Sequence, residues 1–557
     1  MKKSVIKYAL CLVAALLLGG VGGGLFCSCA DYNETDNFTA QPDPTAVRPY
    51  EDMAPVKSYI DREKYPNMSL GATLKVKDFN DQALAHAAAV TNFDHVAFGT
   101  TLMSGSIVNA KGVMNFLDMM DLLDHVEEIG YEVYGSPIFA NANQADDWLR
   151  KLTSPIEVPV DYVEGKTVNY NDSTTFNGTV EKGSASIAQY DGQNTLKINS
   201  MTNVRIVEGF DVDPLAKYTI TFWAKTDKDL NYNITFSGNK VTGTGTNNTW
   251  ALKAGKWTKV VVEAQSSPDE TEGYLRIETA RGMTMYIQKV EAGYYPDNHR
   301  PQTDKEKTDT INYAINTWCE GLMKVNAGRI QSFDRIDEPI DTKAVLDNGF
   351  YDLKHATTNQ IFWQDVLGSE NYAPVVSKLA SEAYERYEGD PSKLRFFIGE
   401  TGLENQKTFE SLNYWIGVWG NKGAKIDGIN AKLNLTYNED AAKQEQNKAS
   451  LGNLLKNLAS TGKLIRLSNF DIKYIDASGQ NVAADKITDD QRQKLADYYG
   501  YVIKQYMETV LPQNQAGICK GNMADTSSDP VGLWAVKNKD WVRTATYKAF
   551  CDALSGQ

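Results

Sequence analysis

Eight short β-rich runs, each followed by a longer stretch of helical periodicity, constrain this chain more than any other feature. They occupy residues 69–74, 93–99, 132–139, 330–337, 394–400, 426–433, 464–472 and 516–519. One strand alternating with one helix is how a parallel βα architecture reads, and eight repeats predict an α/β fold closed into a (β/α)8 TIM barrel. The helices announce themselves by period. Phe116, Met119, Met120 and Leu123 fall at i, i+3, i+4 and i+7, which predicts an apolar stripe, and Gly130 stands where a left-handed cap would end that helix. Thr488 with Gln491 three residues on predicts a capping-box start for a helix running to about Val510.

One connection breaks the rhythm. Between the third and fourth runs, where a single helix would suffice, residues 161–295 read as short alternating strands with Gly, Asn and Asp turns, such as Tyr218-Thr219-Ile220-Thr221-Phe222-Trp223-Ala224. This predicts an inserted all-β, jelly-roll-like sandwich, leaving the barrel to residues 61–160 and 296–557. Trp223 and Trp257, on alternating strands, are read as core wedges.

The amino terminus carries an export signal: Lys2, Lys3 and Lys7 precede an apolar stretch at 9–18 too short for an ordinary spanning helix. Leu25-Phe26-Cys27-Ser28-Cys29 resembles a lipobox, which implies a signal peptide over 1–28 and a lipid on Cys29. Residues 29–60 are expected to be a tether, beginning with the acidic run Asp31-Tyr32-Asn33-Glu34-Thr35-Asp36. Acidic residues at that place resemble the export tag of outward-facing lipoproteins in polysaccharide-utilisation systems. The implied location is the outer membrane, lipid-anchored and exposed at the cell surface.

Composition excludes some functions. The formal charge is −14 and becomes more negative once the basic signal leaves, which disfavours nucleic acid as a partner. Of six cysteines, Cys319, Cys519 and Cys551 lie outside the amino-terminal segment, too few and too scattered for a disulfide framework or a zinc site, so they are expected to be buried thiols. The five histidines show no zinc-ligand spacing and no Gly-rich phosphate loop is present, so no cofactor and no metal are implied.

The insert resembles the β-sandwich carbohydrate-binding modules that accompany xylanases and glucanases, over about 163–294. In that reading Trp250, in the Thr-Asn-Asn-Thr-Trp turn, is the stacking candidate, with Tyr232 and Tyr274 behind it.

Three stretches of the barrel carry a second resemblance. They are Phe333-Asp334-Arg335-Ile336-Asp337-Glu338, Ile426-Asp427-Gly428-Ile429 and Leu464-Ile465-Arg466-Leu467-Ser468-Asn469-Phe470-Asp471-Ile472. They resemble motifs of glycoside hydrolase family 10, the retaining endo-β-1,4-xylanases. The resemblance places Glu338 at the acid/base position and Asn469 at that of the nucleophilic glutamate. A retaining glycosidase needs two carboxyl groups about 5.5 Å apart, one to protonate the leaving oxygen and one to attack the anomeric carbon. An amide is neutral and a poor nucleophile.

Other family positions change in the same direction. Gly99-Thr100 replace Glu-Asn, 136–141 (Ser-Pro-Ile-Phe-Ala-Asn) replace the third-strand His-Thr-Leu-Val-Trp-His, and Asp337 replaces the asparagine beside the acid/base. Lys432 and Asn434 stand for a glutamine and a histidine, and Lys520 at or beside a tryptophan. Asn141, Asp337 and Asn434 are the barrel's ligand-binding candidates.

The leading expectation is a non-hydrolytic surface lipoprotein that holds a plant β-glycan, xylan by default, for partner enzymes and glycan transporters. The alternative is a working glycosidase, retaining or inverting, with relocated carboxylates. An inverting pair about 6.5–9.5 Å apart could be drawn from Glu338 with Glu400 or Asp337. A third reading is an assembly platform that binds protein.

Overall fold

The computed structural model describes residues 48–357, 360–537 and 539–556. The chain divides into two units, one running up to Leu149 and again from Ile311 onward, the other spanning Arg150–Thr310. The export segment 1–28 and Cys29 lie outside the described residues.

In the first unit the eight runs are strands: β1 Ser69–Thr73, β2 His95–Ala97, β3 Glu132–Gly135, β4 Ser332–Asp337, β5 Arg395–Thr401, β6 Gly428–Lys432, β7 Leu464–Ser468 and β8 Gln515–Lys520. They pair in parallel in sequence order, and β8 closes on β1. Helices lie between successive strands, among them Leu117–Glu128, Ser369–Arg386, Ala441–Ser460 and Asp489–Thr509, and Ala545–Ser555 follows β8. The unit is a closed TIM barrel.

Local chemistry explains the element ends. Thr488 accepts the Gln491 N–H at 3.2 Å while the Gln491 side chain accepts the Thr488 N–H at 3.1 Å, the reciprocal capping box. Gly130 takes φ +65°, just beyond the helix Leu117–Glu128. The apolar stripe of that helix is corrected by one step: Met119, Leu122, Leu123 and Val126 are buried, whereas Met120 is exposed. Cys319, Cys519 and Cys551 are buried free thiols. Among the described residues no helix is long and apolar enough to cross a membrane.

The tether is also corrected over its final part. Val56 and Ile60 are buried, Arg543 donates to the carbonyls of Tyr50, Glu51 and Met53, and the Tyr547 hydroxyl donates to that of Ala54. Apolar side chains and satisfied carbonyls fix residues 50–60 to the barrel unit.

Two local devices shape the barrel interior. Asp334 and Asp337 line the same cleft, although residues three apart on a regular strand point to opposite faces. A register shift between Asp334 and Ile336 against β5 reconciles them, as a bulge re-aims side chains beside a site. Gly399 on β5 supplies the room: a Cβ there would lie 2.3 Å from Asp337 Oδ1 and 3.2 Å from Asp334 Oδ2.

The second unit is a two-sheet antiparallel sandwich. One sheet contains Val180–Lys182, Asn203–Asp211, Leu230–Phe236, Asn239–Val241, Trp250–Leu252 and Glu272–Thr279. The other contains Val163–Asn169, Ala185–Tyr190, Gln193–Ile198, Tyr218–Thr226, Thr258–Ala264 and Met285–Tyr294. Ile220, Phe222, Ile234, Ile277 and Val290 meet in one apolar core. Trp223 is not a wedge in it. It is 42% exposed, because strand alternation puts Tyr218, Ile220, Phe222 and Ala224 inward and Trp223 on the other face. Trp257 is half-buried and donates its ring N–H to Asp191 at 3.0 Å.

Candidate active site

A cleft of about 310 Å³ opens at the carboxyl ends of the barrel strands, where a parallel barrel exposes its loops. Glu338 and Asn469 both line it, and both are non-glycine residues in the left-handed region, at φ +46° and +50°. Each follows directly on a strand, β4 or β7, so the chain turns sharply there and projects the side chain over the barrel mouth. Asparagine tolerates that conformation better than glutamate. Glu338 is pinned by its own N–H, which donates to the Gly399 carbonyl at 2.7 Å.

The electrostatics centre on Lys432 at the end of β6. Its ammonium lies 2.6 Å from Asp337 Oδ1 and 3.1 Å from Glu338 Oε1. Lys354, just beyond a hairpin formed by Ile340–Val345 and Tyr351–Leu353, lies 3.8 Å from the other Glu338 oxygen. Burial pushes the Glu338 carboxyl up, but Lys432 and Lys354 together outweigh it and hold the group below the usual carboxylate range. Burial likewise opposes the charge on Lys432, yet Asp337, Asp334 and Glu338 hold its ammonium above the ordinary lysine range. For Asp337, burial outweighs the pull of Lys432 and pushes the carboxyl up to about 7. A general acid must carry its proton at working pH. The Glu338 carboxylate faces two ammoniums, and both favour its ionised form.

The neighbouring carboxylates are engaged elsewhere. Asp334 accepts the Tyr134 hydroxyl at 2.7 Å and the Asn430 amide at 2.7 Å. Asp471 is ion-paired with the buried Lys520 and accepts the Asn522 side chain at 2.6 Å. Glu400 is buried and accepts backbone N–H groups of Ile340 at 3.0 Å and Thr401 at 2.9 Å. Burial pushes its pKa up to about 7, but it is not among the residues that line the cleft. Deeper in the barrel the Arg466 guanidinium stacks on the Tyr134 ring at 3.6 Å and meets His95 Nε2 at 3.0 Å. Burial holds His95 well below the usual imidazole range.

Of the residues singled out in the sequence, Glu338, Asn469, Asp337 and Asn141 come together in the cleft, where Asn141 Oδ1 accepts the Gln364 amide at 3.0 Å. Asn434 does not join them; it is exposed beyond β6, outside the cleft lining. The sandwich candidates are corrected by burial. Tyr232 is only 2% exposed and sits in the core, Tyr274 is buried beneath the Arg205 guanidinium at 4.0 Å, and the two are closed to a ligand. Trp250 is half-buried, packs on the core and donates its ring N–H to the Val241 carbonyl at 3.2 Å. Lys354, Tyr134, Arg466 and Asn430 are cleft residues that the sequence motifs did not single out.

The family model described as glycosyl hydrolase family 10 matches residues 295–546. The barrel is family 10-like. Its solved neighbours include xylanase B from Clostridium stercorarium F9, at 10% identity and TM-score 0.50, covering 90% of this chain and 100% of that one. They also include a Penicillium canescens endo-1,4-beta-xylanase, at 11% identity and TM-score 0.49, covering 91% of this chain and 98% of that one. Likeness at these identities concerns the fold alone. No curated protein matches the chain.

Proposed function

We propose that this chain is a non-hydrolytic, lipid-anchored surface protein that holds a plant-type β-glycan on a family 10-like barrel and its sandwich. The observation that carries the reading is the pairing of an amide at 469 with a Glu338 carboxylate ion-paired to Lys432. Hydrolysis with retention needs a carboxylate to attack and a protonated acid to release the leaving oxygen. At the two positions where the family places these groups, this cleft presents an amide and a carboxylate paired with Lys432. It keeps hydrogen-bonding groups along a groove, which suits binding without bond cleavage.

The family 10 match makes xylan the default glycan. Cys29 would take the lipid, and the acidic run after it would direct the protein outward, beside glycan transporters and hydrolases of a polysaccharide-utilisation system. Affinity electrophoresis tests the reading: retention in gels containing arabinoxylan or another β-linked plant polysaccharide supports it, and free migration across the panel sinks it.

One observation favours a second reading. Glu338 keeps the acid/base position and Glu400, with a pKa of about 7, lies near enough for its charge to be felt. A cutting enzyme built on that pair would release sugars, and Glu338→Gln would abolish the release.

A further inference from the structure

The sandwich has two outer sheet faces, and they differ in kind. On the first, Arg205 pairs with Glu181, Glu208 and Glu272 and covers Tyr274, so its surface is a ladder of mutually satisfied charges. On the second, Trp223 is 42% exposed, directly opposite Lys259 on the neighbouring strand. Beside it, Asp191 holds two side chains at once, the Trp257 ring N–H at 3.0 Å and the Lys225 ammonium at 2.5 Å. Lys225 in turn lies 5.2 Å from the Tyr190 ring, which stacks on Tyr286 at 3.7 Å with the planes 10° apart. Trp257 is thus held by a hydrogen bond, and Tyr190 by a cation and a stacked ring, before any ligand arrives, which lowers the entropy those rings lose on binding.

We propose that this face, centred on Trp223, is the sugar-stacking site of the sandwich; the inference rests on the glycan-binding reading above and gives it an address. A pyranose ring has an apolar C–H face and a rim of hydroxyls that both donate and accept. Trp223 supplies a flat apolar surface for the first. Its surroundings supply both halves of the second: a donor from Lys259 opposite the ring, and acceptor lone pairs left on the exposed carboxylates of the Lys225–Asp191 and Lys289–Glu291 pairs. A protein partner would call for a wider continuous apolar patch, and on this face Val261, 48% exposed, is the exposed aliphatic neighbour.

The test uses the full chain in affinity gels containing soluble arabinoxylan or mixed-linkage β-glucan, comparing wild type with Trp223→Ala. Loss of the exposed ring is expected to weaken retention roughly tenfold with an unchanged melting temperature. Wild-type protein gives an independent reading, because bound polysaccharide should slow the chemical oxidation of Trp223 measured by peptide mass spectrometry. If wild type and Trp223→Ala are retained equally and oxidation is not slowed, the site lies elsewhere and the glycan-binding reading survives. If wild type is retained by neither polysaccharide, both proposals fall.

Discussion

The Lys432 ammonium bridges Asp337 and Glu338, 2.6 Å from one carboxylate and 3.1 Å from the other, at the point where a glycosidase of this fold would hold its proton donor. One cation therefore opposes the effect of burial on Asp337 and, with Lys354, favours the ionised form of the neighbouring glutamate. The pair is buried enough for its loss to be felt throughout the barrel, since an unpaired charge in low dielectric is costly.

Lys432→Gln is expected to destabilise the protein by about 2–4 kcal/mol at neutral pH, the order found when one partner of a buried pair is removed. Glu338 has a folded-state pKa below its ordinary value, so its share of that stability is complete above about pH 4.5 and is lost as the pH falls through the folded value. Urea melts from pH 7 to pH 3 should show the gap between wild type and variant narrowing in acid.

Glu400 behaves in the opposite sense. Burial raises its pKa to about 7 from an ordinary 4.5, so the native state binds the extra proton between those values and stability falls as pH rises through them. In Glu400→Gln the loss of melting temperature between pH 5 and pH 8 should be smaller than in wild type.

Asn469→Glu restores the family residue without restoring the chemistry. Glutamate tolerates φ +50° less well than asparagine, and the expected cost is about 1 kcal/mol in denaturant melts. Glu338 stays clamped by Lys432, so no reducing sugar should appear. Adding Lys432→Gln to that variant removes the nearer of the two ammoniums, and any rescued hydrolysis should appear only in the double variant.

Tyr232→Phe removes a buried hydroxyl that has no hydrogen-bond partner among the described residues. Stability should be unchanged or raised by up to about 1 kcal/mol, with polysaccharide retention unaffected.

The barrel was legible because its strands are short, apolar and regularly spaced, and because the Thr488–Gln491 cap has a fixed spacing. Asn469 was legible because it sits inside a recognisable strand motif. Lys354 was not: it reaches Glu338 from a hairpin after β4, and no pattern along the chain announces that contact. The bulge that turns Asp334 and Asp337 to one cleft is equally silent, since it depends on the register of β5. Trp223 was legible and misread. Its neighbours on the strand face are Thr219 and Thr221, so alternation already placed it outward, while Tyr232 shares its face with Leu230, Ile234 and Phe236 and was bound for the core.

The most direct measurement is the release of reducing ends from arabinoxylan and other β-linked plant polysaccharides by purified wild-type protein, read against buffer and against Glu338→Gln. The account predicts no release above either control, together with retention of the intact protein on at least one of those polysaccharides. Steady release that disappears in Glu338→Gln would contradict it.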